Sequence, residues 1–94
     1  MRKPISYKYN KEGRANGIRY GNPHAVFLSS ANNINIDIWK TSGVRSDDKP
    51  IPDWKVYTIK HMEEITILED QPDFPITDGY KPNSPKYERA FAKV

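Results

Sequence analysis

Residues 32–40 read Asn-Asn-Ile-Asn-Ile-Asp-Ile-Trp-Lys, the clearest strand pattern in the chain. Its three isoleucines, Ile34, Ile36 and Ile38, alternate with polar residues, so a strand here has one apolar and one polar face. Isoleucine is also stiff about χ1 and suits a pleated strand better than a helix. Trp39 points to the polar side, where its ring needs cover from another element or from a ligand. We therefore predict that this stretch is the central strand of a small antiparallel sheet.

The composition predicts one small domain over residues 1–94. Hydrophobic residues make up 36% of the chain and aromatic residues 12%, so a few large rings must supply much of the buried area. There is no cysteine, which excludes disulfides and thiolate metal sites and favours a cytoplasmic location. No apolar run is long enough for a signal peptide or a membrane span, so we expect neither.

Charge is unevenly distributed along the chain. Residues 1–30 carry six Lys or Arg and one Glu, whereas residues 61–94 carry four Lys or Arg and seven Asp or Glu. A basic N-terminal third favours attraction to an anion such as a nucleotide or nucleic acid. The alternative is a solvated charged face with no ligand.

Alternation and turn residues predict about six short strands. Residues 18–28 form one bent strand or two broken ones, because Gly21-Asn22-Pro23 interrupts the ladder and Pro23 belongs at an edge or a bulge. Four prolines exclude regular helix and central strand from residues 71–85. The predicted strands are residues 5–9, 18–28, 34–40, 54–59 and 65–68, with 87–94 as an edge strand in preference to a short helix.

These elements predict an all-β fold, or a β-rich one with a minor helix, arranged as a small barrel or sandwich. Closure into a barrel would remove the exposed strand edges. Large groups on both faces of 54–59 predict that this strand is covered on both sides. Residues 41–53 form a long polar excursion, of a kind that is often functional or mobile, and 61–64 a turn or helical corner.

No catalytic or metal-binding set is evident. The two histidines, His24 and His61, have no spacing typical of a metal site. The glycine motifs of dinucleotide-binding and phosphate-binding loops are absent, as is the nucleophile motif of hydrolases. We therefore expect a protein that is not an enzyme and that needs no metal or cofactor.

Aromatic and basic residues are interleaved. Aromatic faces beside cations suit base stacking and phosphate contact. In the alternative, the rings fill a small core and the lysine stems cover it. The residues concerned are Tyr7, Tyr9, Tyr20, Trp39, Trp54 and Tyr57, with Lys8, Arg19, Lys40 and Lys55.

From Ile18 to Val94 the chain resembles WYL domains of the short stand-alone kind. Residues 19–25, Arg-Tyr-Gly-Asn-Pro-His-Ala, look like the family's Arg-x-x-x-Pro-His opening. Residues 33–43 look like its core strand and following loop, and residues 54–65 like its Phe-Arg-Leu-Asp-Arg-Ile strand and corner. Phe74 and residues 79–83 resemble the closing segment.

The resemblance implies an Sm-like small β-barrel of about five to six antiparallel strands that senses a ligand. Members of the family are associated with bacterial transcription regulators, phage defence and CRISPR accessory proteins, with nucleotides or nucleic acid as ligands in a basic pocket. Arg19 and Lys40 would hold phosphate, and Trp39 and Tyr57 would stack on or wall the base. The implied ligand-binding residues are Arg19, Tyr20, His24, Trp39, Lys40, Tyr57, Thr58 and His61.

The chain also departs from the family pattern. The Trp-Tyr-Leu tripeptide aligns with Ile34-Asn35-Ile36, and the two arginines of the second motif align with Thr58 and His61. There is no helix-turn-helix segment, so a partner would have to supply any DNA contact.

Two readings of function follow. The first is a non-enzymatic regulatory module that binds a nucleotide or short single-stranded nucleic acid. The second is a protein-interaction module that docks on a larger partner without a small ligand, and in either case we expect a homodimer. Arg19 distinguishes the two readings, since it either contacts an anion or forms a surface ion pair with Asp37 or Glu12.

Overall fold

The computed structural model describes residues 2–46 and 49–94, and the elements in these ranges are strands and two short 3-10 turns, with no α-helix. The all-β prediction is therefore confirmed. The 3-10 turns are Ile59–His61 and Pro85–Tyr87. The strands are β1 (Ile5–Tyr9), β2 (Arg19–Leu28), β3 (Ile34–Gly43), β4 (Asp53–Thr58), β5 (Met62–Ile67) and β6 (Ala90–Lys93).

All six strands belong to one antiparallel sheet, and β2 is its centre. The order is β4-β3-β2-β1-β5, with β6 paired to β2 beside the main path. The first half of β2 pairs with β1, its second half pairs with β6, and β3 runs along its length. The prediction that 32–40 is the central strand was wrong, because that stretch lies in β3, one position from the edge.

A bulge bends β2 where its sequence predicts an interruption. The register with β3 shifts between Tyr20 and Gly21 and again between Pro23 and Ala25. Proline has no N–H to donate, so the bulge places it where the ladder is already interrupted. Residues 18–28 therefore contain one bent strand rather than two separate strands.

The sheet is open. Its two ends, β4 and β5, are consecutive in the chain and are linked by the 3-10 turn Ile59–His61, but no ladder joins them in the described part of the chain. The backbone N–H of Asn10 donates to the carbonyl of His61 at 2.7 Å, which fixes this turn beside the end of β1.

The core lies on one face of the curved sheet. Tyr57 of β4 makes edge contacts with the rings of Tyr7 and Tyr9 of β1, at centroid distances of 5.1 and 4.8 Å. Ile36 and Ile38 of β3 are buried beneath these rings as the alternation predicts, whereas Ile34, at the hairpin end, is 44% exposed. The buried core residues are Ile5, Tyr7, Tyr9, Ile36, Ile38, Tyr57 and Met62.

Several predicted boundaries differ from the structure. β3 continues to Gly43, so the predicted 41–53 excursion is shorter than expected, and β5 begins earlier than expected, at Met62. The predicted cover on both faces of β4 is present in part: Tyr57 is buried on one face and Trp54 packs against Tyr80 on the other, whereas Val56 is 53% exposed. Residues 71–84 contain no helix or strand, as the prolines require, and β6 is an edge strand that follows a 3-10 turn.

Candidate anion-binding site

The register of β3 and β4 places two lysines on the same face as the core. Ile36 lies opposite Tyr57 and Ile38 lies opposite Lys55, so Lys40 continues the row of isoleucines. Lys40 is fully buried, and its Nζ donates a hydrogen bond to the carbonyl of Val44. The strand alternation therefore carries a cation into the end of the hydrophobic core.

Arg19, the first residue of β2, is 3% exposed beside these lysines. Its Nη2 donates to the Ala15 carbonyl at 2.9 Å and to the Ser46 hydroxyl at 3.0 Å, and its Nη1 donates to the Tyr57 hydroxyl at 3.4 Å. Its Nε–H is buried and has no hydrogen-bond partner among residues 2–46 and 49–94. The guanidinium is thus held by neutral groups and keeps one donor unused.

The electrostatic surroundings of Arg19 are unusual for a buried cation. Its Cζ lies 5.7 Å from the ring centroid of Tyr57 and 6.0 Å from that of Tyr9, and both aromatic faces attract positive charge. No salt bridge in the described part of the chain includes Arg19. A buried cation is costly without a counter-charge, so a bound anion would relieve that cost.

The alternative of a surface ion pair for Arg19 was wrong. Asp37 lies on the opposite face of β3, where it accepts hydrogen bonds from Tyr87 and Lys86. Glu12 is exposed and no salt bridge with Arg19 is formed within the described ranges.

A cavity of about 140 Å³ opens at this cluster, which we call the anion pocket. A cavity of about 150 Å³ can hold a ligand the size of benzene, so a single phosphate group fits. Lys55 lies 3.8 Å from the Asp53 carboxylate, and the exposed Arg14 lies at the rim. The lining residues are Tyr9, Arg14, Arg19, Lys40, Ser46, Lys55, Val56 and Tyr57.

Two loops form the mouth of the anion pocket. The backbone N–H of Ala15 donates to the Ser46 hydroxyl at 2.8 Å, and the same hydroxyl accepts from Arg19. The β1–β2 loop and the β3–β4 loop are therefore tied together at the guanidinium. Since Ser46 can rotate its hydroxyl, this contact can adapt to an anion beside it.

Three of the residues expected to bind ligand meet here, namely Arg19, Lys40 and Tyr57. Trp39 lies on the other face of β3, half-buried against Trp54 at a ring distance of 5.3 Å. Thr58 also faces away, and its hydroxyl donates to Asn35 at 3.0 Å. Neither residue lines the anion pocket.

The remaining three expected residues also lie outside the anion pocket. Tyr20 is 38% exposed and lines a separate groove with residues 71–75. The His61 ring packs edge-on against Tyr9 at 5.9 Å. These positions follow from the strand alternation and the 3-10 turn, which direct both side chains away from the guanidinium.

His24 has a complete set of structural partners. Its Nδ1–H donates to the Asn22 carbonyl at 2.8 Å, and its Nε2 accepts from the backbone N–H of Thr77 at 3.1 Å. This pair of bonds requires the neutral imidazole, and burial lowers the pKa of His24. The ring thus anchors the proline-rich segment to β2, packed among Trp54, Phe74 and Tyr80.

Five lining residues were not among the expected ligand-binding residues, although the interleaved aromatic and basic residues included two of them, Tyr9 and Lys55. The five are Tyr9, Arg14, Ser46, Lys55 and Val56. Lys55 had a usable signal, because it lies two positions before Tyr57 and so shares its face. Arg14 and Ser46 lie in irregular loops, where periodicity gives no information about which side chains meet.

The residues described include no cluster of His, Cys, Asp or Glu that could hold a metal ion. None of the described residues forms a helix long and apolar enough to cross a membrane. Comparisons with protein-family models, with curated proteins and with solved structures found no match to this chain.

Proposed function

We propose that this protein is a non-enzymatic binding module for a phosphate-bearing ligand, a nucleotide or a short single-stranded nucleic acid. The observation that carries the proposal is Arg19, a buried guanidinium with an unused Nε–H and no ion pair among the described residues. Guanidinium is the side chain best suited to phosphate, because its planar donors match phosphate oxygens.

The size of the anion pocket supports recognition of phosphate rather than of a whole nucleotide. At about 140 Å³ it accepts one phosphate group, while sugar and base stay outside. The exposed Val56 at the edge strand offers an apolar surface next to the mouth. Affinity would then come mainly from phosphate, with little discrimination between bases.

The WYL resemblance points to the same kind of ligand. We propose that the chain is a WYL-like domain with the Sm-like barrel of that family. In that reading the 3-10 turn between β4 and β5 occupies the place where the barrel would close, and the ligand regulates a partner in transcription or in phage defence. The family's second pair of arginines is replaced by Thr58 and His61, so Arg14 and Lys55 are proposed to take over the cationic role.

A pair of matched arginine variants tests the proposal. Arg14→Ala and Arg45→Ala each remove one exposed positive charge, but only Arg14 lines the anion pocket. Calorimetric titration with inorganic phosphate, a nucleoside monophosphate, the uncharged nucleoside and a short single-stranded oligonucleotide should show weaker binding for Arg14→Ala alone. The nucleoside should not bind.

The salt dependence makes the same test quantitative. Each phosphate contact to a single strand contributes a slope of about −0.7 to a plot of log K against log salt, so Arg14→Ala should reduce the slope by about 0.7. Equal losses in Arg14→Ala and Arg45→Ala would mean that only the general positive field attracts the ligand. That result, or equal binding of nucleotide and nucleoside, would contradict the proposal.

A second candidate function, docking on another protein, is supported by the strand β5. It lies at one end of the sheet order, and its Ile65 and Ile67 are 49% and 55% exposed. An exposed strand edge can pair with a strand of a larger partner or of a second copy. Failure of every phosphate ligand to bind would favour this candidate.

A further inference from the structure

A second cavity lies on the face of the sheet opposite to the anion pocket. It has a volume of about 300 Å³ and is formed by the outer faces of β3 and β4 and by the segment 79–87. We call it the aromatic pocket. The lining residues are Asp37, Trp54, Val56, Gly79, Tyr80, Lys81, Ser84, Lys86 and Tyr87.

Asp37, which is only 3% exposed, is the acidic residue in the lining of the aromatic pocket, which also contains Lys81 and Lys86. Its Oδ2 accepts a hydrogen bond from the Tyr87 hydroxyl and an ion-pair contact from Lys86 Nζ at 2.8 Å. Its Oδ1 is buried and has no hydrogen-bond partner within the described ranges. A buried carboxylate that is only half satisfied attracts a further positive charge or donor.

Three aromatic rings form a continuous wall beside this carboxylate. The ring centroids of Trp54 and Tyr80 are 6.2 Å apart, and those of Tyr80 and Tyr87 are 5.9 Å apart. Aromatic faces attract cations, and clustered rings are the usual protein solution for binding an ammonium that carries alkyl groups. Apolar walls and a buried negative charge together match such a group.

The chain already places one of its own ammonium groups here. Lys86 Nζ lies 5.3 Å from the ring centroids of Phe27 and Tyr87, in addition to its ion pair with Asp37. The Lys86 side chain is 45% exposed, so its ammonium group can move into solvent when another cation takes its place beside the buried Asp37. A ligand with a more apolar cation would gain more from the aromatic wall than lysine does.

We propose that the aromatic pocket binds the alkylated ammonium group of a ligand, such as a trimethylammonium group, which displaces Lys86 from Asp37. The site differs from the anion pocket, because it lies on the other face of β3 and β4, shares only Val56 with the anion-pocket lining and takes a ligand of opposite charge. Asp37 supplies the charge, the three rings supply the apolar surface, and Lys86 acts as an internal competitor.

The test uses the full chain with choline as the probe and 3,3-dimethylbutan-1-ol as its neutral isostere. The indole N–H signal of Trp54 in nuclear magnetic resonance spectra reports occupancy. We expect choline to bind about tenfold more tightly than the alcohol, in line with the strength of cation–π contacts in partly desolvated sites. Equal binding of the two probes, or no change with either, would overturn the proposal.

Two variants separate the roles of the charged residues. Asp37→Asn retains an oxygen that accepts from Tyr87 but removes the charge, so choline affinity should fall about tenfold. Lys86→Ala removes the competitor, so affinity should rise several-fold, whereas Lys60→Ala, an exposed lysine outside the pocket, should leave it unchanged. If Asp37→Asn fails to fold, Lys86→Ala still decides, because unchanged or weaker binding contradicts competition.

The source of the ammonium group can be assigned in the same titration. A short peptide with one trimethyl-lysine presents the same cation as choline but adds backbone contacts. Tighter binding of the peptide identifies a modified protein as the source, and tighter binding of choline identifies a small molecule. Either result supports the proposal, provided that the corresponding unmethylated peptide or neutral alcohol binds more weakly.

Discussion

Replacing Gly43 with alanine should loosen the contact between β2 and β3 at the point where Arg19 enters the anion pocket. Gly43 ends β3 directly opposite Arg19 and has a φ of +99°, in the left-handed region that favours glycine. A Cβ at this position would lie 2.6 Å from Arg19 Cα and closer still to the Ile18 carbonyl oxygen. Both neighbours are backbone atoms, so neither can rotate out of the way.

The expected cost has two parts. A non-glycine residue in the left-handed region costs about 1–2 kcal/mol, and forcing extra atoms into a packed site costs about a further 1–3 kcal/mol. Gly13 isolates the first part, because its φ is +80° but a Cβ there would have no heavy atom within 4 Å. Gly43→Ala should therefore lower the free energy of unfolding by about 2–5 kcal/mol, and Gly13→Ala by about 1–2 kcal/mol.

Urea unfolding followed by tryptophan fluorescence measures both variants. Gly43→Ala should also weaken phosphate binding under conditions where it remains folded, because the strand separation displaces the Arg19 backbone. Equal destabilisation by the two substitutions would contradict this prediction, since it would mean that the close approach of β2 and β3 adds no cost to the Gly43 substitution.

Three further predictions concern other parts of the molecule. Removing a fully buried ring lowers the free energy of unfolding by about 3–5 kcal/mol. Trp39→Ala should lower it by less, because Trp39 is half-buried against Trp54, and a larger loss in urea unfolding would contradict that packing. Burial lowers the pKa of His24 below 6.5, so the unfolded chain binds more protons, and the free energy of unfolding should fall as pH drops below 6.5. His24→Gln should flatten this dependence, and an unchanged slope would contradict it. Light scattering should give twice the monomer mass of 10.9 kDa if the protein pairs through an exposed edge, whereas 10.9 kDa at high concentration would exclude the homodimer.

Local features of the fold could be predicted from the sequence because their causes are local. The alternation around Ile36 and Ile38, the bulge at Pro23 and the absence of regular structure after Gln71 each depend on residues close together in the chain. The centre of the sheet could not be predicted in this way. It depends on which distant strands pair, such as Ala25 with Lys93, and a single sequence carries no direct signal of that pairing.

The same distinction applies to the site. Lys40 and Tyr57 were predicted from the aromatic-basic interleaving together with the WYL resemblance, and Arg19 from the WYL-like opening. Trp39 lies between Ile38 and Lys40 in β3, so alternation directs its side chain to the opposite face from Lys40. The predicted ligand set overlooked this consequence by including both residues. Arg14 and Ser46 are brought to the pocket by two loops, and only the folded chain reveals that meeting.

We propose that Arg19 binds phosphate through the donor that the protein leaves unused. The most direct measurement follows the Nε–H signal of Arg19 in ¹⁵N-labelled protein as inorganic phosphate is added, with assignment by Arg19→Lys. We expect a saturable downfield shift of this signal, because a charge-assisted hydrogen bond to phosphate forms there. Arg45, whose guanidinium donates to the exposed Lys49 carbonyl, should show no comparable shift. An Arg19 signal that does not move, or that moves in parallel with Arg45, would contradict the claim.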